Sequence, residues 1–363
     1  MTAVKRSSDL QKGNIKVDIS KIDSNFKSGN AVFEGMTTRN ILDGPFEITG
    51  VTFDSDRYVR MPGCVAKRVN DGVAQLYTNT SGGRIRFKTD SQRITLTAVL
   101  PDISVGTKIP PSGSRCFDMY VGKDYRGFFA CDYKEREDGC YRGSATLDLK
   151  SREMRDITVN FPLYNNVSAV YISCEEDCAL LPPSPEKYPK PIVYYGSSIT
   201  QGGCASHAGN AYPNIISRRL GTNFINLGFS GSARAESVMM EYLATLDMSI
   251  FVYDYDHNAK NYEYLRDTHE NGYKIFRRLK PDVPIVMITS ADIEKDRSER
   301  IDIIRTTYEN AKKAGDNNVY FINGDDIYTP DIKAYCTVDK CHPNDFGFWR
   351  MAEVIGKVIE KLL

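Results

Sequence analysis

The sequence has no uninterrupted apolar run approaching the about 18 residues that a membrane-spanning helix requires. Its N-terminus, MTAVKRSSDLQKGNIKVDIS, lacks the apolar core of a secretory leader. A soluble, cytoplasmic protein with no membrane partner is the expectation. Net charge is missing too: 47 Lys and Arg balance 47 Asp and Glu, so no long-range field recruits nucleic acid or an anionic surface. There is no internal repeat, no Gly-x-Gly-x-x-Gly and no Walker sequence, which disfavours nucleotide binding and calls for no cofactor. Zinc-type cysteine spacing is absent as well, with Cys174-x-x-x-Cys178 and Cys336/Cys341 the nearest approaches, so no metal centre is predicted. Nine cysteines over 363 residues are an odd count that argues against a complete disulfide framework and fits a reducing compartment.

What is present divides in two. From about Val32 to Glu176 short segments alternate apolar with polar residues, as in Arg84–Lys88, Arg93–Val99, Phe117–Val121, Ala145–Leu149, Ile157–Phe161 and Val167–Ile172. No amphipathic helix is read among them. Many short strands with one polar face each predict an all-β sandwich of jelly-roll type over residues 1–181. Prolines at 182, 183, 185, 189 and 191 then mark a stiff linker, 182–191.

Over 192–363 the periodicity changes. Strand-like runs Ile192–Tyr195, Phe224–Leu227, Ile250–Tyr253, Ile285–Thr289 and Val319–Ile322 alternate with helical segments Tyr212–Leu220, Ala235–Leu246, Tyr262–Leu279, Arg297–Ala314 and Phe346–Leu362. Five β–α units predict a parallel sheet covered by helices on both faces, because parallel strands need crossovers. In the last helix Trp349, Ala352, Ile355, Ile359 and Leu362 form one stripe expected to pack on the sheet.

The chemistry concentrates where these strands end. In Ile192–Gly203, IVYYGSSITQGG, an apolar strand stops at a serine-bearing turn, and strand ends of such sheets face the ligand crevice. Ser198 is the candidate nucleophile. About 140 residues on, Asp339-Lys340-Cys341-His342 precedes the last helix. A carboxylate three residues ahead of a histidine reaches Nδ1 if the loop folds back, leaving Nε2 as a base for a hydroxyl. The tips of the next two strands, Asn226–Gly231 and Asp254–Asn258, offer a glycine N–H and an asparagine amide to join the Ser198 N–H in holding an oxyanion. His257 beside that asparagine and His207 after the nucleophile are read as pocket-lining or surface groups. Asp254, Asp256, Asp325 and Asp326 are read as helix caps or solvated strand-end carboxylates.

The set Gly196-x-Ser198-Ile199-Thr200, Gly231, Asn258 and Asp339-x-x-His342-Pro343 resembles the SGNH, or GDSL-like, hydrolases. The resemblance implies a flavodoxin-like sheet, Ser198 as nucleophile, His342 as base and Asp339 as its orienter. It also implies Gly231 and Asn258 as oxyanion partners of the Ser198 amide. Ser197 stands where the superfamily name has Asp, Asn258 follows Asp254-Tyr255-Asp256-His257 in place of Gly-x-Asn-Asp, and Gly228 rivals Gly231. The first half, through Arg60-Met61-Pro62, Gly83–Ser91, Phe117–Tyr120 and Phe161–Asn166, is similar to the sandwich of one branch with a Gly-x-Asp-Leu-Tyr signature. Here Cys116 replaces its glycine and Met119 its leucine. The expectation is a serine esterase that releases a small acyl group, most simply acetyl, from a sugar or oligosaccharide. The alternatives are an acyltransferase using the same residues and a non-catalytic carbohydrate-binding protein.

Overall fold

The computed structural model describes residues 31–103, 106, 108–291 and 297–363; the stretch 1–30, read above for a leader, lies outside them. Among the described residues the first half forms two large antiparallel sheets and a two-stranded hairpin of 52–54 with 57–59. One has the order 36–40, 169–175, 93–100, 141–148, 134–135; the other runs 180–181, 84–89, 155–160, 118–121, 124–128, with 47–49 beside 84–89. Alternation decides which side chains meet between them. Ile85, Phe87, Ile157 and Val159 from one sheet and Ile94, Leu96, Ala98 and Leu100 from the other are buried in a single core, and burying each such side chain stabilises by about 1.5–3 kcal/mol. Met119, at the leucine position of the signature, is fully buried there.

The second half is a five-stranded parallel sheet. Its strands are β1 (Tyr188–Gly196), β2 (Thr222–Gly228), β3 (Ile250–Asp254), β4 (Ile285–Ile288) and β5 (Val319–Ile322). The helices that matter for the site and the core are α1 (Ser198–Gln201), α2 (Tyr212–Leu220), α3 (Ser237–Leu243), α4 (Tyr262–Leu279), α5 (Ser298–Lys313) and α6 (Asp345–Glu360), with a further single turn at Gly324–Ile327. The spatial order is β2-β1-β3-β4-β5, the flavodoxin-like arrangement, in which ligands gather where the order reverses, at the carboxyl ends of β1 and β3. Separate apolar clusters cover the two faces of the sheet.

Four readings of the sequence change. The first half does contain helices, Gly63–Val69 and Asp71–Leu76. Each is two turns or less, too short for periodicity to register, and Met61, Ala66 and Val73 join the core of the α/β unit rather than the sandwich. The proline-rich stretch is tied down: Leu180–Leu181 pairs with 84–89, Ser184 is held by Asp156, and β1 already begins at Tyr188. Trp349 leaves the buried stripe of α6. Phe348, Met351, Ala352, Ile355 and Ile359 are the buried side chains, while Trp349 is 42% exposed and stacks on Phe346. Finally, the polar face of the 84–89 strand does not meet solvent. Arg84 and Arg86 are buried, and Arg84 donates to Ser217 Oγ and Asn223 Oδ1 of the α/β unit at 2.8 and 2.5 Å.

Candidate active site

The end of β1 is shaped by close approach. A Cβ on Gly196 would stand 2.1 Å from Thr200 Oγ1 and 2.4 Å from the Asp254 carbonyl, so only glycine lets the chain turn there. Ser197 caps the next helix, its Oγ accepting from Ile199 N at 3.1 Å, a task serine and aspartate perform about equally well. Ser198 is thereby the first residue of α1 and half-buried. Its Oγ lies 2.8 Å from His342 Nε2.

The Asp339–His342 loop folds back on itself. Lys340 takes a positive φ of 73°, Val338 N donates to the His342 carbonyl at 2.8 Å, and Thr337 bridges Pro343. Asp339 therefore receives His342 N at 2.8 Å and faces His342 Nδ1 at 3.0 Å. This network assigns the ring proton to Nδ1 and leaves Nε2 to accept from Ser198. Lys108 adds a further hydrogen bond to the Asp339 carboxylate. Burial by itself would raise the Asp339 pKa, but the hydrogen bonds from Lys108 and His342 outweigh it and hold the carboxyl well below the usual range.

Asn258 reaches the base of the turn that carries Gly231. Asn258 Nδ2 donates to Phe229 O at 3.0 Å, which also accepts Ser232 N at 2.9 Å. The Ser230–Gly231 turn, with Gly231 at φ 65°, is tied to α1 because Ser230 N donates to Gln201 Oε1 at 3.0 Å. Gly228 plays another part. Its N–H goes to Asn226 Oδ1 at 2.9 Å, its carbonyl accepts Arg60, and a Cβ there would lie 2.3 Å from Gln201 N. It is a packing glycine beneath α1.

The sandwich supplies partners that sequence reasoning missed. Besides Lys108, Tyr164 OH donates to the Ser198 carbonyl at 3.1 Å, and Ser81 Oγ to the Gln201 carbonyl at 2.6 Å. Gln201 Nε2 donates to Asn79 Oδ1 and Leu163 O, each at 3.2 Å. Arg60 donates to Gly228 O and Asn226 O at 2.6 and 3.2 Å, lying over the Phe229 ring. These contacts span from 34 to 231 positions in the chain, and no local pattern marks them.

His207 is held in place rather than merely on the surface. Its Nδ1 is 2.6 Å from Asp118, the aspartate of the Phe117–Tyr120 block, and its ring stacks on Tyr125 at 4.4 Å. Asp118 also receives Gly209 N at 2.6 Å, so the sandwich signature orders the loop that follows the nucleophile. His257 lies next to the catalytic loop, its Nδ1 3.7 Å from Cys341 Sγ. Asp254 and Asp256 are buried, not solvated. Asp254 accepts from Thr200 Oγ1 and Tyr212 OH, both at 3.1 Å, and burial together with the charge of Asp256 pushes its pKa up to about 8.

The arrangement can activate a hydroxyl: base, orienting acid and nucleophile are in contact, and backbone and amide donors lie at the adjoining strand tips.

Residues 189–360 match the model of the GDSL-like lipase/acylhydrolase family, and residues 37–180 match that of the N-terminus of SGNH-hydrolase-type esterases. No curated protein matches. Among solved structures, a candidate GDSL-like lipase from Bacteroides ovatus is 27% identical, with a TM-score of 0.79 over 90% of this chain and 98% of that one. A salicylyl-acyltransferase from a tetracycline biosynthetic pathway has 17% identity and a TM-score of 0.73 over 90% and 98% of the two chains. A family two carbohydrate esterase from Clostridium thermocellum, solved with cellohexaose, has 14% identity and a TM-score of 0.56 over 78% and 93%. The last two share the fold. No helix among the described residues is long and apolar enough to cross a membrane.

Proposed function

The chain belongs to the GDSL-like lipase/acylhydrolase family, and on that premise we propose that it is a serine esterase releasing a small acyl group, acetyl, from a carbohydrate. The observation that carries this reading is the 2.8 Å contact between Ser198 Oγ and His342 Nε2, with Asp339 against Nδ1. Ser198 Oγ attacks the ester carbonyl as His342 takes its proton, and Asp339 stabilises the imidazolium. The oxyanion rests on the N–H groups of Ser198 and Gly231 and the amide of Asn258, whose second N–H is not the one given to Phe229. His342 then protonates the departing sugar hydroxyl. Water, deprotonated by the same histidine, attacks the acyl-enzyme, and acetate leaves as Ser198 recovers its proton.

Similarity to carbohydrate esterases supports the sugar. In this reading the sandwich half is a buttress whose loops hold α1, residues 182–187 connect it to β1, and the α/β half carries the reaction. The test is acetate release from a panel of acetylated sugars and oligosaccharides, wild type against Ser198→Ala, with an activated aryl acetate as control. Release from one sugar class, lost in the variant, is the expected result; equal release by both proteins would refute the mechanism.

The fold shared with a salicylyl-acyltransferase favours acyl transfer as the second reading. The same residues would serve, and transfer to an added alcohol would then exceed hydrolysis.

A further inference from the structure

Arg84 and Arg86 do not close completely on α2. A cavity of about 210 Å³ lies between them, with Thr158 and Asn160 of the 155–160 strand on one side and Asn214, Ser217 and Arg218 of α2 on the other. It is separate from the catalytic centre. None of Ser198, His342 and Asp339 lines it, whereas Gly221 and Ser217, at the end of α2 away from the Tyr212–Asp254 contact, do.

Charge inside this cavity is out of balance. Asp156 already accepts Ser184 N and Oγ at 2.7 and 2.8 Å. Glu186 is shared by Arg84 and Arg86 at 3.5 and 3.3 Å, and Arg86 pairs with Glu47 as well at 3.2 Å. Arg218 forms no ion pair among the described residues. Its guanidinium donates to the Gly209 carbonyl at 3.0 Å and lies 4.1 Å above the Tyr120 ring. Burial outweighs the favourable influence of Tyr120 and Asp118 and pushes its pKa down, the mark of a desolvated cation. Lys123 adds a further positive charge at the rim.

Two residues of the lining each carry a side-chain atom without a partner. Arg84 Nε and Asn214 Oδ1 belong to residues only 4% and 3% exposed, and neither atom has a partner among the described residues. A buried donor and a buried acceptor left unmade are costly, and the arginine, Asn160, Asn214, Thr158 and Ser217 side chains of the lining suit a ligand that carries both an anionic oxygen and a hydroxyl. The volume is below the range typical of drug-sized ligands, which limits the occupant to roughly one sugar ring.

We propose that this cavity binds a small hydroxylated anion, a sugar acid or sugar phosphate, whose charged oxygens accept from Arg218 and Arg84 and whose hydroxyl donates to Asn214. The site requires no esterase chemistry and stands whether or not the ester-cleaving reading holds.

Calorimetric titration of the whole chain with glucuronate, glucose 6-phosphate, inorganic phosphate and glucose tests it. Saturable binding of glucuronate or glucose 6-phosphate at millimolar concentration or below, without binding of glucose, is expected, and which of the two binds distinguishes carboxylate from phosphate. Arg218→Gln should weaken binding about tenfold or more, and the nearly isosteric Asn214→Asp should abolish it by placing a negative charge in the cavity. Lys123→Ala, at the rim, should weaken it less, and Ser198→Ala should leave it intact, separating this site from the ester cleft. Absence of saturable binding by both sugar anions would overturn the assignment. So would inorganic phosphate binding as tightly as either of them, or affinity unchanged in folded Asn214→Asp and Lys123→Ala proteins.

Discussion

Lys108, carried by the sandwich half, hydrogen-bonds to the carboxylate of Asp339, 231 positions away in the catalytic loop. The lysine is largely exposed and the carboxylate mostly buried, so the pair brings a screened charge to the acid that orients His342. Removing it by Lys108→Ala should lower kcat/KM by up to about fivefold. The loss should shrink as salt is added, because an exposed charge is screened within about 10 Å at 0.1 M. Kinetics at two ionic strengths check this. Because the folded Asp339 pKa lies below its unfolded value, its contribution to stability is present above about pH 4 and lost as the pH falls further.

Ser198→Ala and His342→Ala should each reduce kcat for aryl acetate hydrolysis by about 10³-fold or more, with little change in KM, and the double variant should be scarcely worse than either alone, since the pair acts as one unit. Near-ultraviolet circular dichroism showing native packing in the variants would make this a statement about chemistry. Additive losses would mean that the two side chains act independently.

The two glycines at the tip of β2 should respond differently to alanine. At Gly228 the new Cβ would stand 2.3 Å from Gln201 N and 2.7 Å from the Thr200 carbonyl carbon, so α1 and Ser198 must shift. Gly228→Ala should cost about 3 kcal/mol or more in stability and most of the activity. At Gly231 a Cβ meets nothing within 4 Å, and the cost is the positive φ alone, about 1–2 kcal/mol. Gly231→Ala keeps its N–H and should retain most of the activity. Urea denaturation and kcat/KM for both variants distinguish the two cases.

Asp254 makes stability depend on pH in an unusual direction. Its folded pKa of about 8 stands above the unfolded value of about 4, so between those values the folded state binds the extra proton. Stability from this group therefore falls as the pH rises from about 4 to about 8. Asp254→Asn cannot ionise, and the melting temperature of the variant relative to wild type should rise by about 5 °C or more between pH 5 and pH 8. A constant difference across that range would mean that Asp254 is ionised throughout, with the Thr200 and Tyr212 hydroxyls that donate to it accommodating the charge.

The sheet and the contact of Ser198, His342 and Asp339 are legible in the sequence because both are written locally. Apolar runs that alternate with amphipathic segments specify parallel strands and their crossovers, and α4 and β5 begin and end where periodicity predicts. Ser198 at a strand end and Asp339 three residues before His342 are likewise short-range signals, and the loop turn at Lys340 needs only a few residues to form. What lies between distant segments is not written that way. Met61, Ala66 and Val73 bury against α3 and its neighbours, so two short helices leave no periodic trace in their own half. Arg84 and Arg86 read as a solvent face because alternation reports only which side a residue takes, not what covers that side. Trp349 fits the apolar stripe of α6 by spacing, yet it stays 42% exposed, with Phe346 and Arg219 against its ring in place of the sheet. Sequence by itself determined the alternation of strands and helices in the α/β half and singled out Ser198, Asp339 and His342 as the proposed reacting groups. Tertiary structure decided that Lys108 supports Asp339, that Gly228 is packing while Gly231 turns the loop, and that Asp254 is buried. The reason is physical: backbone periodicity encodes contacts within a few residues, whereas these depend on loops from two separately formed units meeting around one strand end.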